Sequence, residues 1–234
     1  MLLQARQITK CYGHRNILNG VDLVVQPDEV VSIFGPNGSG KTTLVKILST
    51  LIKPTSGSLQ IGDVDALAEP QRVRQSLGLV LHEPLAYLGL SPYENLKFFG
   101  RIYGIDDLEG RISDVLADVE LTSFAHEPVR IFSRGMMQRF MIAKALIHDS
   151  SILLLDEPFS GLDAAAKEIA LKLIEKERER GKGVLLTTHD TELGYLAGSR
   201  FLFLLNGQIE SVAVKGEIGL EGLSRRYESK IKKQ

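Results

Sequence analysis

Gly35, Gly38, Gly40, Lys41 and Thr42 are the residues whose types and spacing most directly specify chemistry in this chain. They lie in Val30-Val31-Ser32-Ile33-Phe34-Gly35-Pro36-Asn37-Gly38-Ser39-Gly40-Lys41-Thr42-Thr43, where a β-favouring run enters a glycine-rich turn. Leu44-Val45-Lys46-Ile47-Leu48 then reads as an apolar-striped helix. Strand, turn and helix with the spacing G-x-x-x-x-G-K-T form a phosphate-binding loop. Triphosphate oxygens must be met by several backbone N–H groups at once, so the turn must curl with no side chains in the way. Gly35, Gly38 and Gly40 are expected to permit that curl by reaching positive φ. The following helix turns its free N–H groups and positive dipole end to the same anion. Lys41 adds a full charge toward the β- and γ-phosphates, and the Thr42 hydroxyl can ligate Mg²⁺.

A second chemical element is Ile152-Leu153-Leu154-Leu155-Asp156-Glu157. A buried strand here delivers carboxylates to the sheet edge where open α/β folds bind ligands. Asp156 is expected to hold Mg²⁺ opposite Thr42. Glu157, one residue further, is placed to polarise a water against the γ-phosphate.

These residues need a scaffold, and the rest of the chain reads as one. Leu3 to Thr9 and Ile17 to Val25 alternate as half-buried strands around a turn at 12–16. A helix is expected from Lys41 to about Leu51, then a short strand from Ser58 to Ile61 closed by Gly62-Asp63. Leu77 to Leu81 is a buried strand ending at His82-Glu83-Pro84. From 91 to 147 the pattern turns helical. Ser91-Pro92-Tyr93-Glu94 carries a capping-box signature, Ile112 to Val119 marks a second helix and Met136 to Ile147 a third. Strand character returns in Ile152-Leu153-Leu154-Leu155, a continuous apolar run suited to a strand buried on both faces. A helix from Asp163 to about Arg180 ends in the charged run 175–180, read as a solvated face. Val184 to Thr188 and Phe201 to Leu205 are further strands, and Asn206-Gly207 turns the latter into Ile209 to Val212. Strands alternating with helices predict an α/β core with a parallel sheet, interrupted by a helical insertion from about 84 to 148.

Composition narrows the setting. The 234 residues are 44% apolar and 24% charged, ordinary for a globular chain. A formal net charge of −1 gives no global case for nucleic acid or an anionic membrane. The single cysteine, Cys11, excludes an intramolecular disulfide framework and suits a reducing compartment. Its thiol, with no activating neighbour in sequence, reads as inert. The first residues turn polar too soon for a signal peptide, and no apolar run approaches the roughly 20 residues of a membrane helix. The basic run Arg225-Arg226-Tyr227-Glu228-Ser229-Lys230-Ile231-Lys232-Lys233 reads as a solvated terminus, with contact to lipid or a partner as the alternative.

Taken with Phe132-Ser133-Arg134-Gly135-Met136-Met137-Gln138-Arg139, Asp156-Glu157-Pro158-Phe159-Ser160-Gly161-Leu162-Asp163 and Thr188-His189-Asp190, the loop at 35–43 resembles the ATP-binding cassette (ABC) ATPases. Order and spacing agree from Leu3 to about Val212. The resemblance implies a P-loop NTPase core with a parallel sheet, an N-terminal antiparallel β subdomain and an inserted α-helical subdomain. The single cassette would span 1–215, with core and β subdomain at 1–83 and 149–215, the insertion at 84–148 and a tail at 216–234. It implies ATP and Mg²⁺ as ligands, with Gly35, Pro36, Asn37, Gly38, Ser39, Gly40, Lys41, Thr42 and Thr43 around the phosphates. Tyr12 matches the aromatic that stacks on adenine, or else it packs on the sheet. Ser133 and Gly135 match the signature motif that caps the γ-phosphate held by a partner subunit, although Phe132, Arg134 and Met136 depart from Leu-Ser-Gly-Gly-Gln. Asp163 matches an aspartate that crosses the dimer interface, and His189 a histidine that contacts the γ-phosphate. Where the family places a glutamine that reaches Mg²⁺, this chain has His82, which takes over that contact or packs the loop.

The resemblance further implies a head-to-tail homodimer, or a heterodimer with a paralogous ATPase, enclosing two ATP. It implies a separate integral-membrane permease and a place on the cytoplasmic face of the membrane, with no nucleic acid as partner. The histidine loop and the Phe-Ser-Arg-Gly-Met signature are similar to haem-exporter ATPases of cytochrome c maturation. Export of a lipid or drug, and a soluble ABC ATPase outside transport, are the alternatives.

Overall fold

The computed structural model describes residues 1–232. Two antiparallel strands, β1 (Leu3–Tyr12) and β2 (Arg15–Val25), open the chain around the two-residue turn Gly13-His14. β3 (Val30–Phe34) leads through the glycine loop into α1 (Lys41–Leu48). β4 (Ser56–Ile61) and β5 (Val64–Asp65) form a hairpin about Gly62-Asp63, followed by α2 (Pro70–Arg74) and β6 (Leu77–Val80). α3 (Pro92–Ile102), α4 (Leu108–Asp118) and α5 (Arg134–Leu146) make up the helical insertion, with short 3₁₀ turns at Thr122–Phe124 and Val129–Ile131. The chain then returns through β7 (Ile152–Asp156), α6 (Ala164–Glu179), β8 (Gly183–Thr188), α7 (Thr191–Ala197), β9 (Arg200–Leu205), β10 (Gln208–Val214) and α8 (Leu220–Ile231).

Two sheets result. The smaller has the order β2-β1-β4-β5 and is antiparallel; the larger has the order β10-β9-β3-β8-β7-β6. The larger sheet is parallel from β9 to β6, and only β10 runs against its neighbour. The period of 2 along a strand explains the unbroken apolar run in β7. Leu153 and Leu155 join the core shared with the helical insertion, whereas Ile152 and Leu154 join the core shared with the smaller sheet and α1. With both faces covered, β3, β7 and β8 are buried along their whole length. Their carboxyl ends therefore sit at fixed positions along one edge, where ligands bind in such sheets.

The expected capping box is present: the Ser91 hydroxyl accepts from the Glu94 N–H, and the Glu94 carboxylate accepts from the Ser91 N–H at 2.8 Å. Other expectations need correction. α1 stops at Leu48 rather than Leu51, and β1 continues to Tyr12, where cross-strand pairing to Arg15 tightens the turn. α2 and α7, of five and seven residues, are too short to show a helical period. The charged run 175–180 is not wholly a solvated face, because Glu177 is buried and its carboxylate lies 2.5 Å from the Lys182 ammonium. The expected solvated terminus is largely α8, whose Leu223 and Tyr227, four residues apart, bury against the core. The Tyr227 ring packs 6.0 Å from Phe34 and 5.3 Å from Phe203. Of the basic run, Lys233 lies outside the described residues.

The seam between the insertion and the large sheet holds a titratable group. The His148 ring stacks on Tyr103 at 3.9 Å, and its Nε2–H donates to the Leu77 carbonyl at 3.0 Å. Burial, opposed in part by that bond, holds its pKa down from the usual 6.5 to about 4. The folded state thus resists a proton that the unfolded chain accepts. Stability from this group is complete above pH 6.5 and is lost as pH falls toward 4, up to about 3 kcal/mol. Urea unfolding followed from about pH 7 to about pH 4 should show this acid slope, and His148→Gln should flatten it.

Candidate active site

The glycines of the loop serve different needs. Gly38 and Gly40 have φ of +81° and +103°, as expected for the curl. Gly35 does not have positive φ; its requirement is space, since a methyl group there would sit 2.7 Å from the Leu204 carbonyl oxygen of β9. Gly40 is also the N-cap of α1, so the helix presents its first N–H groups to the loop. The Lys41 side chain is almost buried. Its ammonium donates to the Gly35 carbonyl at 2.6 Å and the Pro36 carbonyl at 3.3 Å, and lies 3.4 Å from the Glu157 carboxylate.

Asp156 is completely buried at the end of β7. A carboxylate out of water must be met by donors. The Thr187 hydroxyl donates to Oδ1 at 2.6 Å and the Thr42 hydroxyl to Oδ2 at 2.7 Å. Thr187 is the residue paired with Asp156 across the β7–β8 ladder, so strand register delivers that donor. Two hard oxygen donors, Asp156 and Thr42, fit Mg²⁺ that completes its shell with phosphate oxygens and water. Among the described residues no group of three or more His, Cys, Asp or Glu could hold a metal without such help.

Glu157 follows in the left-handed region at φ +52°, a conformation costing about 1 kcal/mol for a side-chain-bearing residue. Its N–H donates to the Thr187 carbonyl at 3.0 Å, which secures the turn out of the strand. The carboxylate therefore points along a different direction from Asp156. One oxygen faces Lys41 and the other lies 2.9 Å from His189 Nδ1. His189 follows β8 and precedes α7, whose N-cap Asp190 accepts from the Leu193 N–H at 3.0 Å.

These groups share a cleft of about 660 Å³. Pro36, Asn37, Gly38, Gly40, Lys41, Thr42 and Thr43 line it on one side, and Asp156, Glu157 and His189 on another. His82 and Glu83 close a third side, so the histidine after β6 does face the same space as the phosphate loop. Tyr12 does not line it: the ring is 53% exposed at the end of β1, with the Lys10 ammonium 5.0 Å from its centroid. Arg15 and Ile17, from the start of β2, line the cleft instead. Sequence reasoning missed them, along with Thr187 and Ser160. A basic residue beside the turn aromatic was a signal for Arg15. Thr187 had none, since its role depends on which strand pairs with β7.

Ser133, Gly135 and Asp163 form a separate set, and none lines the cleft. Ser133 is exposed and caps α5, accepting from the Met136 N–H at 3.2 Å. Gly135 has ordinary φ, and the nearest atom to a Cβ added there would be 3.9 Å away. Among the described residues nothing requires a glycine at that position. Asp163 caps α6, accepting from the Ala166 N–H at 2.8 Å, and is exposed.

The sequence profile of the family described as ABC transporter matches residues 18–160. The chain belongs to the ABC transporter family. It is 33% identical to the lantibiotic transport ATP-binding protein SrtF of Streptococcus pyogenes over 98% of this chain and 97% of that one. It is 32% identical to the linearmycin resistance ATP-binding protein LnrL of Bacillus subtilis (strain 168), over 93% of this chain and 70% of that one. Among solved structures, the ATP-binding cassette MJ0796, captured as a dimer in a post-hydrolysis state with ADP and Pi, superposes with a TM-score of 0.83 at 28% identity. That match covers 91% of this chain and 99% of the cassette. The chain is accordingly an ABC ATPase domain, and related cassettes are dimers.

Two substitutions test the geometry. Lys41→Ala should abolish steady-state ATP hydrolysis. Thr187→Val leaves one oxygen of a buried carboxylate without its donor, at a cost of about 1–3 kcal/mol. It should slow hydrolysis by about tenfold or more, whereas Thr187→Ser should retain the rate.

Proposed function

We propose that this chain is the ATP-hydrolysing subunit of an ABC exporter and works as a head-to-tail dimer around two Mg-ATP. The observation that carries the catalytic part is the Glu157 carboxylate, held at the cleft between Lys41 and His189. Phosphoryl transfer asks little of a protein beyond positioning and electrostatics. The amides of the loop at 35–40, the α1 N-terminus and Lys41 hold the phosphates. Asp156 and Thr42 would hold Mg²⁺, which would supply positive charge against the charge that develops on the phosphates. Glu157 orients the attacking water and takes up its proton, while ADP carries away the electrons of the broken bond. His189 fixes that carboxylate and faces the γ-phosphate, and His82, which also lines the cleft, would reach the same water and metal. Tyr12, exposed and paired across the strands with the cleft residue Arg15, stacks on the adenine in this reading.

The dimer is supported by the second set of residues. Ser133 and Asp163 are exposed, Gly135 is half-buried, and all three lie apart from the cleft; among the described residues no contact requires a glycine at 135. A hydroxyl and a bare backbone at a helix N-terminus suit the γ-phosphate held by another subunit. That subunit is a second copy or a paralogous ATPase. Among the described residues no helix is long and apolar enough to cross a membrane, and in this reading the membrane partner is a separate permease chain. Its docking face is the insertion at 84–148 with the loop after His82, where Leu85, Tyr87, Leu88, Phe98 and Ile102 are exposed. The remainder, 1–83 and 149–215, forms the core that binds nucleotide, on the cytoplasmic face of the membrane.

The export substrate follows the relatives, whose names refer to linearmycin resistance and lantibiotic transport. An amphiphilic antibiotic, peptide or lipid is the preferred class. Haem export is a second reading carried by His82 and the Phe-Ser-Arg-Gly-Met signature. The dimer is the part tested most directly. Glu157→Gln loaded with Mg-ATP should sediment as a dimer, and adding Ser133→Arg should return it to a monomer that still binds ATP. A Glu157→Gln protein that stays monomeric at saturating ATP, or a Ser133→Arg enzyme with unchanged turnover, would overturn the shared-site reading.

A further inference from the structure

Arg134 is the charged departure from the glycine-rich signature, and no step above uses it. It is the first residue of α5, flanked by Ser133 and Gly135. Its guanidinium does not simply extend into solvent. Nη2 donates to the Ser160 hydroxyl at 2.7 Å. The side chain also lies across Gly161, where an added Cβ would stand 2.2 Å from Arg134 Nε and 2.3 Å from Cδ. Gly161 has φ +74°, so a bare residue is required there on two counts. Ser160 lines the nucleotide cleft of its own chain, and Asp163, three residues on, caps α6. One side chain thus spans from the turn at 133–135 to the wall of the cleft.

We propose that Arg134 is a positioning residue that couples the two half-sites of one chain, reporting nucleotide occupancy at Ser160 to the Ser133–Gly135 turn. This rests on the reading that the turn completes the partner's site. Coupling needs two sites and one element whose position both of them bias. The loop at 160–163 is that element, because one end borders the cleft and the other caps a helix at the exposed face. A guanidinium is suited to the link: it is always charged, and its planar fork loses little freedom when it donates. Nucleotide entering the cleft displaces Ser160, and Arg134 transmits the displacement to the turn that faces the partner's γ-phosphate. ATP in one site thereby prepares the other.

The test is a double-mutant cycle on the whole chain, reading ATP hydrolysis against ATP concentration. Wild type should show a Hill coefficient approaching about 2, the number of sites. Arg134→Ala and Ser160→Ala should each lower turnover about fivefold, bring the Hill coefficient toward about 1, and together do no more than either alone. Binding of a fluorescent ATP analogue to the dilute monomer should be unchanged in Arg134→Ala, because the side chain touches no phosphate in its own cleft. Arg134→Lys should restore part of the cooperativity, since an ammonium can reach the same hydroxyl without the fork. Additive losses, or a Hill coefficient unaffected by Arg134→Ala, would overturn the proposal. So would a loss of trapped dimer on Arg134→Ala that persists in the Ser160→Ala background, which would place the guanidinium on the partner's phosphate. The Glu157→Gln dimer separates the two failures: if it forms while the cycle is additive, only the coupling falls.

Discussion

The constraint on which this molecule turns is a carboxylate taken completely out of water. Asp156 sits at the end of strand β7 and is tolerable there only because two hydroxyls meet it, Thr187 from β8 and Thr42 from α1. Those two bonds tie three elements together at one point. They fix the start of α1 relative to the sheet, and with it the glycine loop whose amides face the cleft. They also fix the register of β7 against β8, which decides where Glu157 and His189 emerge. A buried group that is costly to leave unpaired is a sensitive locator of its neighbours, and here the neighbours are the site.

Around that point the chain divides its chemistry. Glu157 leaves the strand in a left-handed turn and lies between Lys41 and His189, so its carboxylate meets a group from each of two sides of the cleft. Ser133, Gly135 and Asp163 stand elsewhere on the surface. Related cassettes are dimers, and in the proposed function a second subunit turned head to tail completes the site. Arg134 runs between the two sets, from the turn at 133–135 to Ser160.

The outer elements brace the phosphate loop from behind. Phe34, the last residue before that loop, is wedged where α7 and α8 meet the sheet. A Cβ on Gly194 would stand 2.3 Å from its ring, and Tyr227 packs on its other neighbours. The Ser224 and Thr191 hydroxyls, 3.4 Å apart, join α8 to α7 just beyond His189. This helix is therefore part of the cassette's core, although five of its twelve residues are charged.

The grouping of Lys41, Asp156, Glu157 and His189 as one site came from the resemblance of the whole motif set to the ABC ATPases. Local sequence determined the glycine loop, the apolar runs of β3, β7 and β8, and the capping box at Ser91. Each of these is dictated by chemistry within a few residues: a backbone that must curl, a strand buried on both faces, a helix end that must be capped. Tertiary structure alone decided the rest. Whether Gly35 is needed for φ or for space depends on the Leu204 carbonyl, some 170 residues away. That Thr187 would hold Asp156, that Arg134 would reach Ser160, and that Leu223 and Tyr227 would bury depended on which elements lie side by side. A residue's period and type are carried by its own segment, but the partner of a buried polar atom is chosen by packing.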